Sequence, residues 1–183
     1  MRASNRQCGH TLAEILVTLS IASGITALAV PEFSKMLASM RLRAAMSAMA
    51  SGLHLTRNEA IRRNSHVVIC KSGDGRDCTK EGDWAQGWII FFDPNHNARL
   101  DVDETILYRE APMRSYIRLW GNTTVKDYTS FTSFGRAKMA ANNFQAGSFY
   151  ICAQSLASTE GFRILVDKSG TPRVEKIVLP SCN

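Results

Sequence analysis

The stretch that decides the fold is Gly9-His10-Thr11-Leu12-Ala13-Glu14, which leads into a run without charged residues from Ile15 to Val30 and then Pro31. A membrane-spanning helix needs about 20 apolar residues, and this run reaches that length when it is counted from Thr11. Arg2 and Arg6 precede it, as the positive-inside rule expects. The sequence therefore predicts one spanning helix near the amino terminus. A secretory signal is the alternative, but its small-residue cleavage site is poorly formed here.

Glu14 is the anomaly in this segment. A carboxylate at the head of a membrane helix costs several kcal/mol unless it is paired, so it points to a function. The alternative is an interfacial glutamate that the positive end of the helix dipole stabilises.

The quoted residues resemble the class III signal of type IV prepilins. The resemblance implies that a prepilin peptidase cuts between Gly9 and His10 and methylates the new amino group of His10. Glu14 then becomes the fifth mature residue and Pro31 the twenty-second. His10 stands where the family usually has phenylalanine. In such proteins Glu14 would pair with the amine of a neighbouring subunit and so offset the burial of both charges.

Beyond Pro31 the helical pattern becomes amphipathic and is expected to continue to about Arg63. Apolar residues recur every three or four positions, which predicts one buried face with methionine as core filler. These are Phe33, Met36, Leu37, Met40, Ala44, Met46, Met49 and Leu53.

From His66 onward the pattern changes to short apolar runs separated by turn residues, which predicts antiparallel strands. We expect them at His66–Cys70, Gly87–Phe92, Glu104–Arg109, Ile117–Trp120, Ser130–Phe134, Ser148–Cys152, Phe162–Val166 and Arg173–Leu179. A helix followed by strands predicts an α+β fold, with the second half of the helix packed on a twisted antiparallel sheet. The predicted organisation is a leader (1–9), an apolar assembly helix (10–31), an amphipathic helical half (32–64) and a β-rich head (65–183).

Three further segments, Thr56–Asn64, Val67–Cys70 and Gly87–Asp93, are similar to the GspH/FimT family. The resemblance implies a pilin-like minor pilin of type IV pili or a minor pseudopilin of type II secretion. Its expected partners are other pilins or pseudopilins, the prepilin peptidase and the inner-membrane assembly platform. The expected location is the bacterial inner membrane, single-pass with the head in the periplasm, and afterwards the pilus or pseudopilus.

The chain has five cysteines, and Cys8 belongs to the predicted leader. Four would remain after cleavage, which favours two disulfides in an oxidising compartment. No Cys-x-x-Cys spacing indicates a zinc site. Of the three possible pairings we favour the sequence-local one, Cys70 with Cys78 and Cys152 with Cys182.

One loop has the register of a twelve-residue calcium site, with oxygen-bearing side chains at Asp93, Asn95, Asn97, Asp101 and Glu104. Ala98 replaces the glycine expected at the sixth position, and strands rather than helices flank the loop. A polar hairpin loop is therefore the favoured interpretation, and calcium the alternative; no other cofactor is expected.

No catalytic motif is recognisable, so we expect no enzyme. The net charge of +6 would favour an acidic partner, although it falls to +4 without Arg2 and Arg6. Some minor pilins of this family resemble receptors for double-stranded DNA in natural transformation, with a Gly-Arg-x-Arg motif in a late hairpin. Here the corresponding turn is Ser169–Arg173. The DNA-binding candidates are Arg173, Lys168, Lys176, Arg136 and Lys138, and an ordinary solvated hairpin is the favoured alternative.

Overall fold

The computed structural model describes residues 11–154 and 160–182. The leader, Cys8, and the predicted cleavage and methylation site at Gly9 and His10 lie outside these residues. The chain forms two compact units that divide between Leu37 and Ala38. Helix α1 (Leu12–Arg63) contributes residues to both of them.

The first unit consists of the amino-terminal part of α1. Thr11 caps this helix, because its hydroxyl oxygen accepts a hydrogen bond of 3.3 Å from the Glu14 N–H. This Thr-x-x-Glu spacing is that of a capping box. An 18-residue window has a mean hydropathy of 1.9 and is exposed throughout, so the helix is apolar and long enough to cross a membrane.

The second unit holds the rest of α1 and eight strands. Their bounds are β1 (Val67–Lys71), β2 (Trp88–Phe92), β3 (Ile106–Glu110), β4 (Ile117–Gly121), β5 (Tyr128–Phe131), β6 (Gly147–Ala153), β7 (Glu160–Val166) and β8 (Pro172–Val178). Short 3₁₀ turns lie at Trp84–Gln86 and Thr123–Val125. All eight predicted strands are present, and their ends are shifted by a few residues at most.

The strands form two four-stranded antiparallel sheets, where the sequence analysis expected one. Sheet A has the order β3-β2-β1-β5, and sheet B has the order β4-β6-β7-β8. Alternating residues show that a strand has a buried face but do not show which sheet the strand joins. The predicted α+β fold class, a long helix packed on antiparallel strands, is confirmed.

One core joins the carboxy-terminal part of α1 to both sheets. The helix buries Leu42, Ala45, Met49, Leu53 and Ala60, of which Met49, Leu53 and Ala60 have no exposed surface. The predicted buried face is therefore wrong in its first half: Phe33, Met36, Met40 and Ala44 are exposed. Apolar residues recur along the whole of α1, but this core includes only those from Leu42 onward.

Both predicted disulfides, Cys70–Cys78 and Cys152–Cys182, are present. The first closes the turn-rich segment after β1, and the second fastens the carboxy terminus to β6. The buried Lys71 side chain also stabilises the turn-rich segment after β1. Its ammonium group donates to the carbonyl oxygens of Lys80 and Gly82 at 2.9 and 3.0 Å. It also lies 3.0 Å from the Asp127 carboxylate.

Candidate assembly helix and head surfaces

The amino-terminal part of α1 is the first candidate site, because it leaves a long row of apolar side chains uncovered. Glu14 is exposed within the first turn of this helix. The exposed large apolar residues, each with more than two fifths of its surface accessible, are Leu12, Ile15, Leu16, Val17, Leu19, Ile21, Ile25, Val30, Phe33, Met36 and Met40. A continuous exposed surface of this kind marks contact with lipid or with another protein.

Pro31 lies inside α1, and the helix continues through it. Proline in a helix interior removes one main-chain hydrogen bond and usually bends the helix. Glu32 and Lys35 form a salt bridge of 2.7 Å one turn further on. This exposed pair ends the charge-free stretch of α1.

The second candidate site is a basic surface that two turns of the head form together. Gly170, in the β7–β8 turn, has φ +76, and an added Cβ would meet the carbonyl oxygen of Gly135. This close approach places Lys168 beside the turn that contains Arg136 and Lys138. The ammonium groups of Lys138 and Lys168 lie 5.9 and 5.7 Å from the centre of the Phe144 ring.

Two exposed phenylalanines belong to the same region. Phe134 is 83% exposed and precedes Gly135, and Phe144 is 49% exposed between the two lysines. We call Phe134, Arg136, Lys138, Phe144 and Lys168 the basic-aromatic patch. The aromatic members were not predicted from the sequence. Phe134 was assigned to the end of a predicted strand, and an isolated phenylalanine such as Phe144 usually indicates a core position.

The other two DNA-binding candidates each lie beside a carboxylate. Arg173 is directed to Asp167, at 3.9 Å, and Lys176 forms a salt bridge of 2.9 Å with Glu160. Because side chains alternate along a strand, Arg173 and Lys176 lie on opposite faces of β8. The five predicted residues therefore do not form one surface.

The predicted calcium loop is a closed network of its own hydrogen bonds. The buried Asp93 carboxylate accepts from the main-chain N–H groups of Asn97 and Ala98 at 3.1 and 3.0 Å. The amides of Asn95 and Asn97 both donate to Asp101 at 2.8 Å. Ala98 adopts φ 56 in place of the usual glycine.

Glu104 closes this loop by accepting the Asp101 N–H at 3.1 Å. Burial raises the pKa of Glu104, and the charges of Asp93 and Asp101 raise it further. Across residues 11–154 and 160–182, no three His, Cys, Asp or Glu side chains are grouped so as to hold a metal ion. Calcium binding by this loop stays a prediction.

The structure brings together two histidines that are far apart in sequence. The rings of His66 and His96 are stacked with their centres 3.8 Å apart. Burial lowers the pKa of His66, and the neighbouring His96 lowers it further. The stack fixes the tip of the Asp93–Glu104 loop to the start of β1.

Comparison with known proteins decides the family. The GspH family model, described as Type II transport protein GspH, matches residues 45–170. The chain belongs to this family. The match covers the carboxy-terminal part of α1 and most of the head, which are the regions that carry the core.

Solved structures of similar fold include the type IV minor pilin FimU of Pseudomonas aeruginosa strain PAO1 in two crystal forms. One form gives 17% identity and a TM-score of 0.53 over 73% of this chain and 87% of FimU. The other gives 17% identity and a TM-score of 0.52, over 73% and 92%. The minor pseudopilin EpsH of the Vibrio cholerae Type 2 Secretion System gives 11% identity and a TM-score of 0.49, over 74% and 96%. A comparison with curated proteins gives no match.

The family and the fold are those of structural filament subunits, either minor pilins or minor pseudopilins. This family implies assembly with other pilin-like chains, and the apolar part of α1 is long enough to hold such a subunit in a membrane. The expectation that the chain is not an enzyme agrees with this family.

Proposed function

We propose that this chain is a minor subunit that assembles into a type IV pilus or a type II secretion pseudopilus. In this proposal a prepilin peptidase removes residues 1–9 and methylates His10. The apolar part of α1 then holds the chain in the bacterial inner membrane with its head in the periplasm. The assembly platform later moves the chain into a filament beside other pilins or pseudopilins.

The uncovered apolar surface of α1 is the observation that carries this proposal. Eleven large apolar side chains between Leu12 and Met40 are exposed. Each buried side chain of this size gains about 1.5–3 kcal/mol, so lipid or neighbouring helices must cover them. A filament of parallel helices covers them once the chain leaves the membrane.

In this proposal Glu14 sets how the helices of neighbouring subunits align along the filament. Cleavage after Gly9 creates an amine four residues before Glu14, and the Glu14 carboxylate of one subunit pairs with the amine of its neighbour. The capping hydrogen bond between the Glu14 N–H and Thr11 is made by the main chain, so it leaves the carboxylate available. A substitution of Glu14 should therefore affect assembly more than it affects the helix.

The test is the fate of Glu14→Gln in the native host. We expect the variant to reach the membrane and to be lost from sheared filaments, because glutamine keeps the size but not the charge. The matched control is Glu32→Gln, which removes an exposed carboxylate from the same helix. Normal incorporation of Glu14→Gln would contradict the role of this residue.

The basic-aromatic patch favours a second candidate function, DNA binding during uptake in natural transformation. Lys138 and Lys168 converge on one exposed ring, and the neighbouring Arg136 is exposed. Such cations bind phosphates by releasing counterions, and exposed aromatic rings stack on bases. Arg173 contributes less in this proposal, because Asp167 lies beside it.

Full-length protein in neutral detergent, titrated with a labelled duplex at several salt concentrations, tests this candidate. Lys138→Ala with Lys168→Ala should lower the slope of log affinity against log salt by about 2, since each phosphate contact contributes about 0.9. Lys176→Ala is the matched control, because this lysine lies on another face and is paired with Glu160. Equal slopes for the double variant and the unaltered chain would contradict DNA binding at this patch.

A further inference from the structure

A cleft of about 620 Å³ opens in the head between the Trp84–Gln86 turn, the segment 112–115 and the edge strand β4. This volume lies in the range of small-molecule sites, and the cleft is wide open to solvent. Among the residues that line it are Asp83, Gln86, Arg114, Ser115, Arg118 and Trp120. The cleft lies within the second unit and uses no part of the apolar helix or of the basic-aromatic patch.

An aromatic ring forms one wall of the cleft. Trp120 pairs with Tyr150 across strands β4 and β6. Their rings are stacked with centres 5.6 Å apart and an angle of 23° between the planes. The indole is half-buried, and this stacking fixes its orientation. A fixed ring of this kind offers a flat apolar surface to a ligand.

An oriented arginine lies beside this ring. The Asp83 carboxylate accepts from the Ala85 N–H at 3.0 Å with one oxygen and from the Nε atom of Arg118 at 2.8 Å with the other. Within the described residues, neither terminal nitrogen of Arg118 donates a hydrogen bond. Asp83 thus fixes the guanidinium while its outer N–H groups stay available, a geometry that suits a carboxylate.

A second cation adds positive charge to the same cleft. Arg114 is exposed, and no carboxylate in residues 11–154 and 160–182 lies within salt-bridge distance of it. The charged groups lining the cleft are Arg114, Arg118 and Asp83, so its net charge is about +1. The Ser115 hydroxyl and the Gln86 side-chain carbonyl oxygen add neutral hydrogen-bonding groups. The Gln86 amide nitrogen donates to the Glu81 carbonyl oxygen at 2.8 Å.

We propose that this cleft binds an acidic sugar unit of a glycan. The flat apolar face of the sugar ring would lie on Trp120, and its carboxylate would accept hydrogen bonds from Arg118 and Arg114. Its hydroxyl groups would bond to Ser115, Gln86 and Asp83. An aromatic acid would satisfy the ring and the arginines but would leave the Ser115 hydroxyl and the Gln86 carbonyl oxygen to water, so it would make fewer hydrogen bonds than an acidic sugar.

Tryptophan fluorescence of the full-length protein in neutral detergent provides a direct test. Trp84 and Trp88 are fully buried, so a ligand in the cleft reports through Trp120. We expect oligogalacturonate to change the emission in a saturable way and the neutral sugar chitotetraose to bind at least about tenfold more weakly, because it has no carboxylate. Trp120→Phe should abolish the emission change.

The arginine variants test the carboxylate contact separately from the ring. Arg118→Lys keeps the charge but loses the planar fork, and should weaken oligogalacturonate binding about tenfold. Arg114→Gln, at an exposed position, should weaken it as well without affecting folding. Arg62→Lys is the matched control, because Arg62 is an exposed arginine paired with Glu59 at the end of α1 and does not line the cleft.

Three results would overturn the proposal. The first is the absence of a saturable signal with oligogalacturonate, and the second is equal affinity for chitotetraose. The third is an equal and Arg118-dependent signal with benzoate or a DNA oligonucleotide, which would assign the cleft to aromatic acids or to polyanions in general. Loss of affinity in both arginine variants, with the control unchanged, would support it.

Discussion

The Nε atom of Arg57 donates a hydrogen bond of 3.0 Å to the carbonyl oxygen of Gly135. This contact joins α1 to the turn that carries Arg136, across 78 positions of sequence. Gly135 in turn lies against Gly170, so one arginine on the helix supports both turns of the basic-aromatic patch.

Removing this contact should destabilise the head. A partly buried hydrogen bond from a charged donor contributes about 1.5–3 kcal/mol, so we expect Arg57→Leu to lower the free energy of unfolding by about 2 kcal/mol. Urea unfolding of the full-length protein in detergent measures the difference in unfolding free energy between the variant and the unaltered chain. Arg43→Leu, an exposed arginine on the same helix, should change the unfolding free energy by less than about 0.5 kcal/mol.

Gly170→Ala tests the close approach of the two turns. The positive φ of Gly170 disfavours any Cβ, and the Gly135 carbonyl occupies the space. We expect a loss of at least about 2 kcal/mol, measured by thermal or urea unfolding. Gly73→Ala is the control, since its nearest neighbour is a glutamine side chain at 3.5 Å. Similar stability of the two variants would mean that the turns are not in contact.

The end of α1 should make stability depend on pH. Hydrogen bonds from Arg62 and then Arg63 lower the pKa of Glu59 from 4.5 to about 2. The folded-state pKa is below the unfolded value, so this stabilisation is present above about pH 4.5 and is lost as the pH falls toward 2. The Arg62 side chain is 65% exposed, so solvent screening limits the effect to about 1 kcal/mol.

Glu59→Gln measures this contribution. The difference in unfolding free energy between the unaltered chain and the variant should be about 1 kcal/mol at neutral pH and should vanish near pH 2. Glu81→Gln, at an exposed position three residues after Cys78, should show a much smaller difference. A difference for Glu59→Gln that stays constant with pH would rule out the ion pair as its source.

The two disulfides should differ in what they contribute. Their sequence separations are 8 and 30 residues. Loop-closure entropy then gives about 2.5 kcal/mol for Cys70–Cys78 and about 3.6 kcal/mol for Cys152–Cys182. Paired replacement of each by serine, followed by urea unfolding, should reproduce this order. The reverse order would show that native packing around the cysteines outweighs chain entropy.

The apolar helix and the eight strands were predictable, because each depends on a local pattern. The number of cysteines predicted two disulfides, and the preference for the sequence-local pairing among the three possible ones is confirmed. The division of the strands into two sheets was not predictable, because the residue pattern of a strand does not show which strand it pairs with. The buried face of α1 was predicted too long for a related reason. Phe33, Met36 and Met40 follow the helical period. The period shows that one face of the helix is apolar, but it does not show whether the chain's own head or another molecule covers that face.

In the candidate sites, too, features that depend on residue type were predictable and features that depend on tertiary contacts were not. Arg136, Lys138 and Lys168 were found from their charge, whereas Phe144 is recognisable only once the two turns meet around it. Arg173 and Lys176 lie on the same strand, but they are three residues apart, so their side chains lie on opposite faces of it. The sequence around Trp120 does not indicate that its side chain is accessible, because a tryptophan in a strand most often belongs to the core.

The most direct test of the central claim is mass spectrometry of this protein in sheared and purified filaments from the native host. We predict a mature chain that begins at His10, with a methylated amino group, in the filament fraction. A chain that keeps residues 1–9 and stays in the membrane fraction while filaments form normally would contradict the account.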